Sequence, residues 1–171
     1  MQSKEQGSAA QQFDAIVVGA GFAGVYAVYK FRQMGMSVRV LEAGAGVGGT
    51  WYHNRYPGAR CDIESLDYSF SFSNELQQEW NWSERYASQP EILAYINHVV
   101  DRFDLGKDIQ LNTRVTSATF NEQTNRWTIT TEEGETFSAK YAVMATGVLS
   151  VHQVPSMKGL ETFEKQWFHT G

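Results

Sequence analysis

The chain has 171 residues and a net charge of -5 at pH 7, so its overall charge does not attract a nucleic-acid backbone. Its length is sufficient for one domain with a hydrophobic core, and because it has no run of about 18 apolar residues we expect no membrane span. Its single cysteine, Cys61, cannot form an intrachain disulfide, which favours a reducing, cytoplasmic compartment.

The first elements along the chain predict a βαβ unit. Residues 1–12 are small and polar and are predicted to form a disordered tail. Residues 13–18 (FDAIVV) predict a buried strand, residues 22–34 a helix that ends at Gly35, and residues 37–42 (SVRVLE) a second strand. Short connections between these elements are typical of parallel strands joined by a helix.

A glycine-rich loop, GAGFAG at residues 19–24, connects the first strand to the helix. Gly19 permits a tight turn, Gly21 lets the backbone approach a pyrophosphate, and Gly24 lets the helix pack closely on the strand. The N-terminus of the helix favours phosphate, and Glu42 ends the second strand, where a carboxylate can accept hydrogen bonds from ribose hydroxyls. The pattern predicts binding of an ADP moiety, as in FAD or NAD.

The same glycine pattern recurs as GAGVGG at residues 44–49. The residues that follow it, TWYHNRYPG, cannot start a normal helix, so this second match is predicted to be a flexible turn. Glycines and aromatic rings dominate the segment up to residue 65, and flat rings beside exposed backbone suit a large planar cofactor such as an isoalloxazine.

The second half of the chain predicts one long helix and a set of hairpins. Ser88 and Glu91 form a capping box before an apolar stripe that reaches residue 103, and residues 108–113 (DIQLNT) are a strand candidate. Residues 114–147 predict a β-meander whose last strand enters the core, and small Ala145 and Gly147 at its end leave room for a nucleotide.

These elements predict an α/β fold: a three-layer, Rossmann-like FAD-binding domain with a parallel sheet and a β-meander insertion. Residues 13–150 are assigned to this domain, which we expect to be incomplete. Residues 151–171 are predicted to be a linker toward a missing NADP-binding domain, so the remainder of its own chain is an expected partner. The four histidines, at positions 53, 98, 152 and 169, lack ligand spacing, and we predict no metal site.

Three stretches of the chain match motifs of one enzyme family. The first is GAGFAG with Glu42. The second is residues 49–62 (GTWYHNRYPGARCD), which fit the pattern G-x-W-x4-[FY]-P-[GM]-x3-D. The third is residues 163–171, where Lys165 replaces the glycine of the fingerprint F-x-G-x-x-x-H. With these motifs the sequence resembles the N-terminal part of flavin-dependent Baeyer–Villiger monooxygenases, especially the branch of phenylacetone and cycloalkanone monooxygenases.

The resemblance implies an enzyme that uses FAD and NADPH to convert a ketone and O2 to an ester or a lactone. It implies that Phe22 and its backbone neighbours hold the diphosphate, that Glu42 binds the adenosine ribose, and that Val115 lies near the adenine. It also implies one catalytic residue, Asp62, which would pair with an arginine of the NADP-binding domain and hold that charge beside the developing oxyanion.

The remaining roles implied by the resemblance concern the two cofactors. Thr50, Trp51, Tyr52 and His53 would line the flavin. Asp62 and Tyr68 would lie near its ring system, and Arg60, Cys61 and Asp62 would contact NADP. The complete set of predicted cofactor-binding residues is Gly19, Gly21, Phe22, Gly24, Glu42, Gly49, Thr50, Trp51, Tyr52, His53, Arg60, Cys61, Asp62, Tyr68, Val115, Ala145 and Gly147.

Two other functions share some of these features. An N- or S-oxidising flavin monooxygenase would have the same first glycine loop, although the motif at residues 49–62 argues against it. A non-catalytic nucleotide-binding module is the second alternative.

Overall fold

A computed structural model describes residues 10–170 of the chain. Its helices and strands are β1 (Gln11–Val18), α1 (Phe22–Gln33), β2 (Val38–Leu41), α2 (Thr50–His53), α3 (Asn74–Glu79), α4 (Gln89–Arg102), β3 (Ile109–Gln110), β4 (Val115–Asn121), β5 (Arg126–Thr131) and β6 (Thr136–Met144). The predicted βαβ unit and the predicted meander are both confirmed. Gly35 follows α1 with φ of 71°, a conformation that glycine adopts without steric cost.

One six-stranded sheet connects all of the strands, in the order β3-β2-β1-β6-β5-β4. β1 pairs in parallel with both β2 and β6, and β2 pairs in parallel with β3. The meander strands β4, β5 and β6 pair antiparallel. β6 therefore belongs to the parallel sheet and to the meander at once, and it positions the end of the meander beside the glycine loop.

Alternate residues of β1 face two separate cores, because successive side chains of a strand point to opposite faces. Ala15 and Val17 belong to a cluster that includes Val25 of α1 and Ile96 of α4. Ile16 belongs to a second cluster, with meander side chains that include Ile129 and Phe137. The order of layers is helices, parallel strands and meander, which confirms the predicted three-layer α/β fold.

The N-terminal boundary differs from the prediction. Gln11 and Gln12, which the sequence placed in the tail, are the first residues of β1 and pair with Phe137 and Ser138 of β6. Strand pairing uses backbone groups, so the long β6 recruits these residues despite their polar side chains. The predicted tail at residues 1–9 lies outside the described residues.

The strand predicted at residues 108–113 is shorter than expected. Only Ile109 and Gln110 form β3, and Asp108 belongs to a preceding 3₁₀ turn. Asn112 has φ of 53°, which takes the backbone out of the extended conformation two residues after the strand ends.

The predicted capping box at the start of α4 is wrong. The side chain of Ser88 makes no capping hydrogen bond. The Glu91 carboxylate instead accepts hydrogen bonds from the backbone N–H of Ser83 at 2.7 Å and from its hydroxyl at 2.9 Å. The Glu91 carboxylate, which the sequence pattern assigned to the N-terminus of α4, is thus bonded to the loop that precedes the helix.

Residues 151–170 contain a single 3₁₀ turn, at Leu160–Thr162, and many of their apolar side chains are exposed. Within the fingerprint, His169 Nε2 lies 3.2 Å from the carbonyl oxygen of Gln153. Across residues 10–170, no helix combines the length and the apolar character needed to cross a bilayer.

Candidate nucleotide-binding site

The carboxyl ends of three parallel strands meet at one edge of the sheet. The backbone N–H of Gly19, just after β1, donates to Leu41 of β2 at 2.8 Å. The N–H of Ala145, just after β6, donates to Val18 at 2.9 Å. Ligands of open α/β sheets bind beyond the carboxyl ends of the strands, so this edge is the candidate site.

The first glycine loop has room for backbone only. Gly19 has φ of 103°, and a Cβ atom there would lie 2.5 Å from the carbonyl oxygen of Ala145. A Cβ atom on Gly24 would lie 1.9 Å from the carbonyl oxygen of Gly19. Gly21 is the N-cap of α1 and places no side chain over the helix terminus. The unpaired N–H groups of the first helical turn are therefore accessible to an anion.

The second glycine run packs against the first, so its prediction as a flexible turn is wrong. The N–H of Gly48 donates to the carbonyl of Ala20 at 2.9 Å. Gly49 has φ of 54°, and a Cβ atom on it would lie 2.9 Å from Cα of Gly21. A single turn of helix, α2, begins directly after Gly49; with four residues it is too short to contradict the expectation that no normal helix starts here. Side-chain-free backbone from two loops thus forms one continuous surface.

Glu42 fixes the position of both loops. Its side chain is buried, with 5% of its surface exposed. One carboxylate oxygen accepts a hydrogen bond from the N–H of Ala20 at 2.6 Å, and the other accepts one from the N–H of Gly44 at 2.7 Å. Each carboxylate oxygen can accept a second hydrogen bond, so Glu42 keeps acceptor capacity for a ribose. A diphosphate at the start of α1 with a ribose beside Glu42 fits this arrangement.

The aromatic residues of α2 divide into two groups. Trp51 points into the core, with 7% of its surface exposed, and its indole N–H donates to the hydroxyl of Tyr68 at 3.0 Å. His53 Nε2 lies 4.0 Å from the Glu42 carboxylate, and the Tyr52 ring is 3.2 Å from the position of a Cβ atom on Gly44. Tyr52 and His53 therefore lie at the carboxylate end of the site, whereas Trp51 lies on its inner side.

Tyr68 connects Trp51 to the first turn of α1. Its ring packs against Phe22, with the ring centroids 4.9 Å apart. Burial raises the pKa of the Tyr68 phenol; the bond from Trp51 lowers it, and nearby Cys61 and Asp62 raise it further. The phenol therefore stays protonated, which lets it accept from Trp51 while it keeps a proton to donate.

Replacement of Tyr68 by Phe should destabilise the protein. The substitution keeps the ring but leaves the buried indole N–H of Trp51 without an acceptor, which costs about 1–3 kcal/mol. Urea denaturation measures the loss as a lower midpoint at an unchanged slope. Tyr141→Phe, at an exposed position of β6, is the matched control and should leave the midpoint unchanged. Equal midpoints for Tyr68→Phe and the parent protein would show that this hydrogen bond contributes no stability.

The segment of Arg60, Cys61 and Asp62 is held by its neighbours. The Arg60 guanidinium donates to the Glu84 carboxylate and to the carbonyl of Tyr86. Cys61 is buried, and its N–H donates to Ala87 at 3.1 Å, whereas the Asp62 side chain is exposed. The Asp62 carboxylate is thus available to a group outside the described residues.

Val115, Ala145 and Gly147 lie around the same edge of the sheet. The N–H of Thr113 donates to the carbonyl of Glu42 at 2.8 Å, and Val115 follows two residues later at the start of β4. Ala145 contacts the glycine loop directly, and the exposed Gly147 has φ of 75°. The structure therefore brings Val115 and Ala145 to the edge of the sheet that holds Glu42 and the first glycine loop.

Two residues of this region were not assigned to the site from the sequence. Gly48 belongs to the glycine run that was interpreted as flexible, although a second glycine pattern at the end of a second strand was a detectable signal. Gln89 has a buried side chain whose amide donates to the carbonyl of Trp51, 38 positions earlier in the chain. Nothing in the local sequence around Gln89 points to that partner.

Among residues 10–170, no group of three or more His, Cys, Asp and Glu side chains could hold a metal ion. The fold and the site define a dinucleotide-binding domain of the Rossmann-like class, with a carboxylate and two glycine loops at the strand ends. The family model described as pyridine nucleotide-disulphide oxidoreductase matches residues 16–170, and the chain belongs to this family.

The chain is also similar to named monooxygenases. It is 51% identical over 160 residues to a phenazine N-monooxygenase of Lysobacter antibioticus, covering 93% of this chain and 30% of that protein. It is 45% identical over 172 residues to a Baeyer–Villiger monooxygenase of Pseudooceanicola batsensis, covering 100% of this chain and 32% of that protein. The chain thus spans about a third of the length of these relatives.

The chain is also similar to solved structures of monooxygenases. One of an oxidised steroid monooxygenase bound to NADP has a TM-score of 0.83 at 59% identity, covering 88% of this chain and 29% of that one. A structure of cyclohexanone monooxygenase from Rhodococcus sp. Phi1 bound to NADP+ has a TM-score of 0.87 at 48% identity, covering 94% of this chain and 30% of that one. The resemblance to Baeyer–Villiger monooxygenases is confirmed.

Proposed function

We propose that this chain is the FAD-binding portion of an NADPH-dependent Baeyer–Villiger monooxygenase, which converts a ketone and O2 to an ester or a lactone. The observation that carries the proposal is the surface formed by Gly21, Gly49 and the buried Glu42 at the strand ends. The aromatic turn α2 starts directly from this surface. Similarity to the steroid and cyclohexanone monooxygenases supports the choice of reaction and of both cofactors.

In this proposal the residues of the chain bind and orient the cofactor. The N–H groups at the start of α1 bind the diphosphate, because the helix terminus carries a partial positive charge. Glu42 accepts hydrogen bonds from the adenosine ribose, with Val115 at the adenine end. Trp51 and its neighbours in α2 line the flavin, and Arg60 and Cys61 contact NADP. When bound, FAD supplies the redox chemistry with NADPH and O2.

Residues 11–150, which include the whole of β1, would form most of the FAD-binding domain, and residues 151–171 would lead to the NADP-binding domain. Exposed apolar side chains between residues 148 and 168 support a partner surface from the remainder of the chain. The single buried cysteine supports a cytoplasmic location.

Product analysis of the intact enzyme tests the proposal. The purified enzyme should be yellow, oxidise NADPH in the presence of O2, and convert phenylacetone or cyclohexanone to the corresponding ester or lactone, detected by gas chromatography with mass spectrometry. A colourless protein that cannot be reconstituted with FAD would support the non-catalytic nucleotide-binding module instead.

Oxidation of an aromatic nitrogen is the second candidate, because a relative 51% identical over 160 residues is named a phenazine N-monooxygenase. Parallel assays with phenazine and the two ketones separate the candidates. Formation of an N-oxide without ester or lactone from any ketone in the panel would replace the first proposal with the second.

Asp62→Asn should lower kcat of the intact enzyme about tenfold, because the neutral amide no longer holds an arginine charge in position at the reacting centre. Asp67→Asn, another exposed aspartate of the same loop, is the matched control and should leave kcat unchanged. Steady-state oxidation of ketone measures both variants. Full ester formation by Asp62→Asn would remove Asp62 from the catalytic assignment.

A further inference from the structure

Gln89 is bonded to both ends of the aromatic segment. It is the first residue of α4, and 7% of its surface is exposed. Its side-chain amide donates to the carbonyl of Trp51, and its backbone N–H donates to the carbonyl of Ala59 at 2.9 Å. One buried residue of a long helix thus holds a turn of α2 and the far end of the loop that follows it.

The backbone at the far end is also held by other bonds. Residues 84–89 run antiparallel to residues 59–65, with a bridge between Arg60 and Ser88. In addition, the N–H of Cys61 donates to Ala87 at 3.1 Å, and the N–H of Ser65 donates to Arg85 at 2.8 Å. These backbone hydrogen bonds do not involve the side chain of Gln89. Loss of the Gln89 amide would therefore affect the Trp51 end and leave the Arg60 end in place.

The Trp51 end depends on bonds from outside α2. This helix has four residues, one turn, and so short a helix is not stable by itself. The carbonyl of Thr50 accepts from the N–H of Asn54, the C-cap residue, at 2.9 Å, whereas the carbonyl of Trp51 belongs to the last turn, whose carbonyl groups lack partners within a helix. The Gln89 amide supplies that partner from a different helix. Gly49 is the N-cap of α2, and its backbone abuts Gly21 of the first glycine loop.

We propose that Gln89 is a positioning residue for the oxygenation reaction, acting through the backbone of Trp51. This inference rests on the function proposed above. The Gln89 amide fixes the position of α2 relative to the surface of Gly21 and Gly49. It thereby determines where the turn that contains Trp51 lies relative to bound flavin. A displacement of about 1 Å at a reacting centre can lower the rate up to about 100-fold, so a bond remote from the chemistry can matter.

Gln89→Met in the intact enzyme tests the inference, because it keeps the volume of the side chain and removes the donor. The kcat per bound flavin should fall about tenfold, the visible circular dichroism of the flavin should change, and KM for the ketone should stay within about twofold. Gln123→Met, at an exposed position of the β4–β5 turn, is the matched control and should match the parent in all three.

A merely structural role gives a different result. It would lower the melting temperature or the flavin content but leave kcat per bound flavin and the dichroism unchanged, and that outcome would overturn the inference. If Gln89→Met does not fold, Gln89→Glu keeps the shape and replaces the donor by an acceptor, and the same readouts decide. Failure of the parent enzyme to bind FAD would count against the proposed function. If the parent binds FAD and oxidises ketone and the Gln89 variant matches it in all readouts, only the positioning role of Gln89 is rejected.

Discussion

We expect Gly24→Ala to abolish FAD binding by the intact enzyme and to lower its free energy of unfolding by about 3 kcal/mol. The added Cβ atom would lie 1.9 Å from the carbonyl oxygen of Gly19 and 2.9 Å from its carbonyl carbon. Neither atom can rotate away, because both belong to the backbone. Gly19 is itself restrained, because its N–H donates to Leu41 at 2.8 Å and its backbone lies so close to Ala145 that an added Cβ atom would be 2.5 Å from the carbonyl oxygen of Ala145.

The resulting strain must move α1 away from β1 or open the glycine turn. Either displacement removes the N–H groups of the first helical turn from the strand ends, where the diphosphate is expected. Flavin absorbance of the purified protein and urea denaturation measure the two effects. Gly106→Ala is the matched control, because its Cβ atom would lie 3.8 Å from Val100 at an ordinary φ, and its stability should stay within about 0.5 kcal/mol of the parent. Stoichiometric FAD in Gly24→Ala would contradict the proposed site.

Glu42→Gln should raise the Kd for FAD about 100-fold. The carboxylate accepts one backbone N–H on each oxygen, from Ala20 and from Gly44. An amide has one oxygen, so its NH2 group would face one of these donors. The substitution therefore disturbs the loop that approaches the diphosphate and also removes the charge that strengthens the bonds to the ribose hydroxyls.

Titration of the apoenzyme with FAD, followed by flavin fluorescence, measures this change. The control is Glu133→Gln in the exposed turn between β5 and β6, which makes the same chemical change away from the strand ends. A Kd for Glu42→Gln within about threefold of the parent value would show that the carboxylate does not contribute to the cofactor site.

The features that were predicted correctly depend on residues close together in the sequence. The first glycine loop was predicted correctly because its requirements are local: positive φ at Gly19 and contact between a helix and the preceding strand at Gly24. The meander was predicted because its strands alternate with turn residues at short spacing. The errors at Glu91 and at residues 44–49 have a different cause, since their partners, Ser83 and the first glycine loop, come from other parts of the fold.

The amino-acid sequence by itself determined the order of the elements, the glycine turn and the acidic residue at the end of β2. Each depends on periodicity or on backbone conformation, which neighbouring residues control. Only the tertiary structure decided that β6 joins the two halves of the sheet, that the second glycine run packs on the first, and that Gln89 holds Trp51. Buried polar groups must find partners wherever the folded chain supplies them, and distance along the sequence does not restrict that choice.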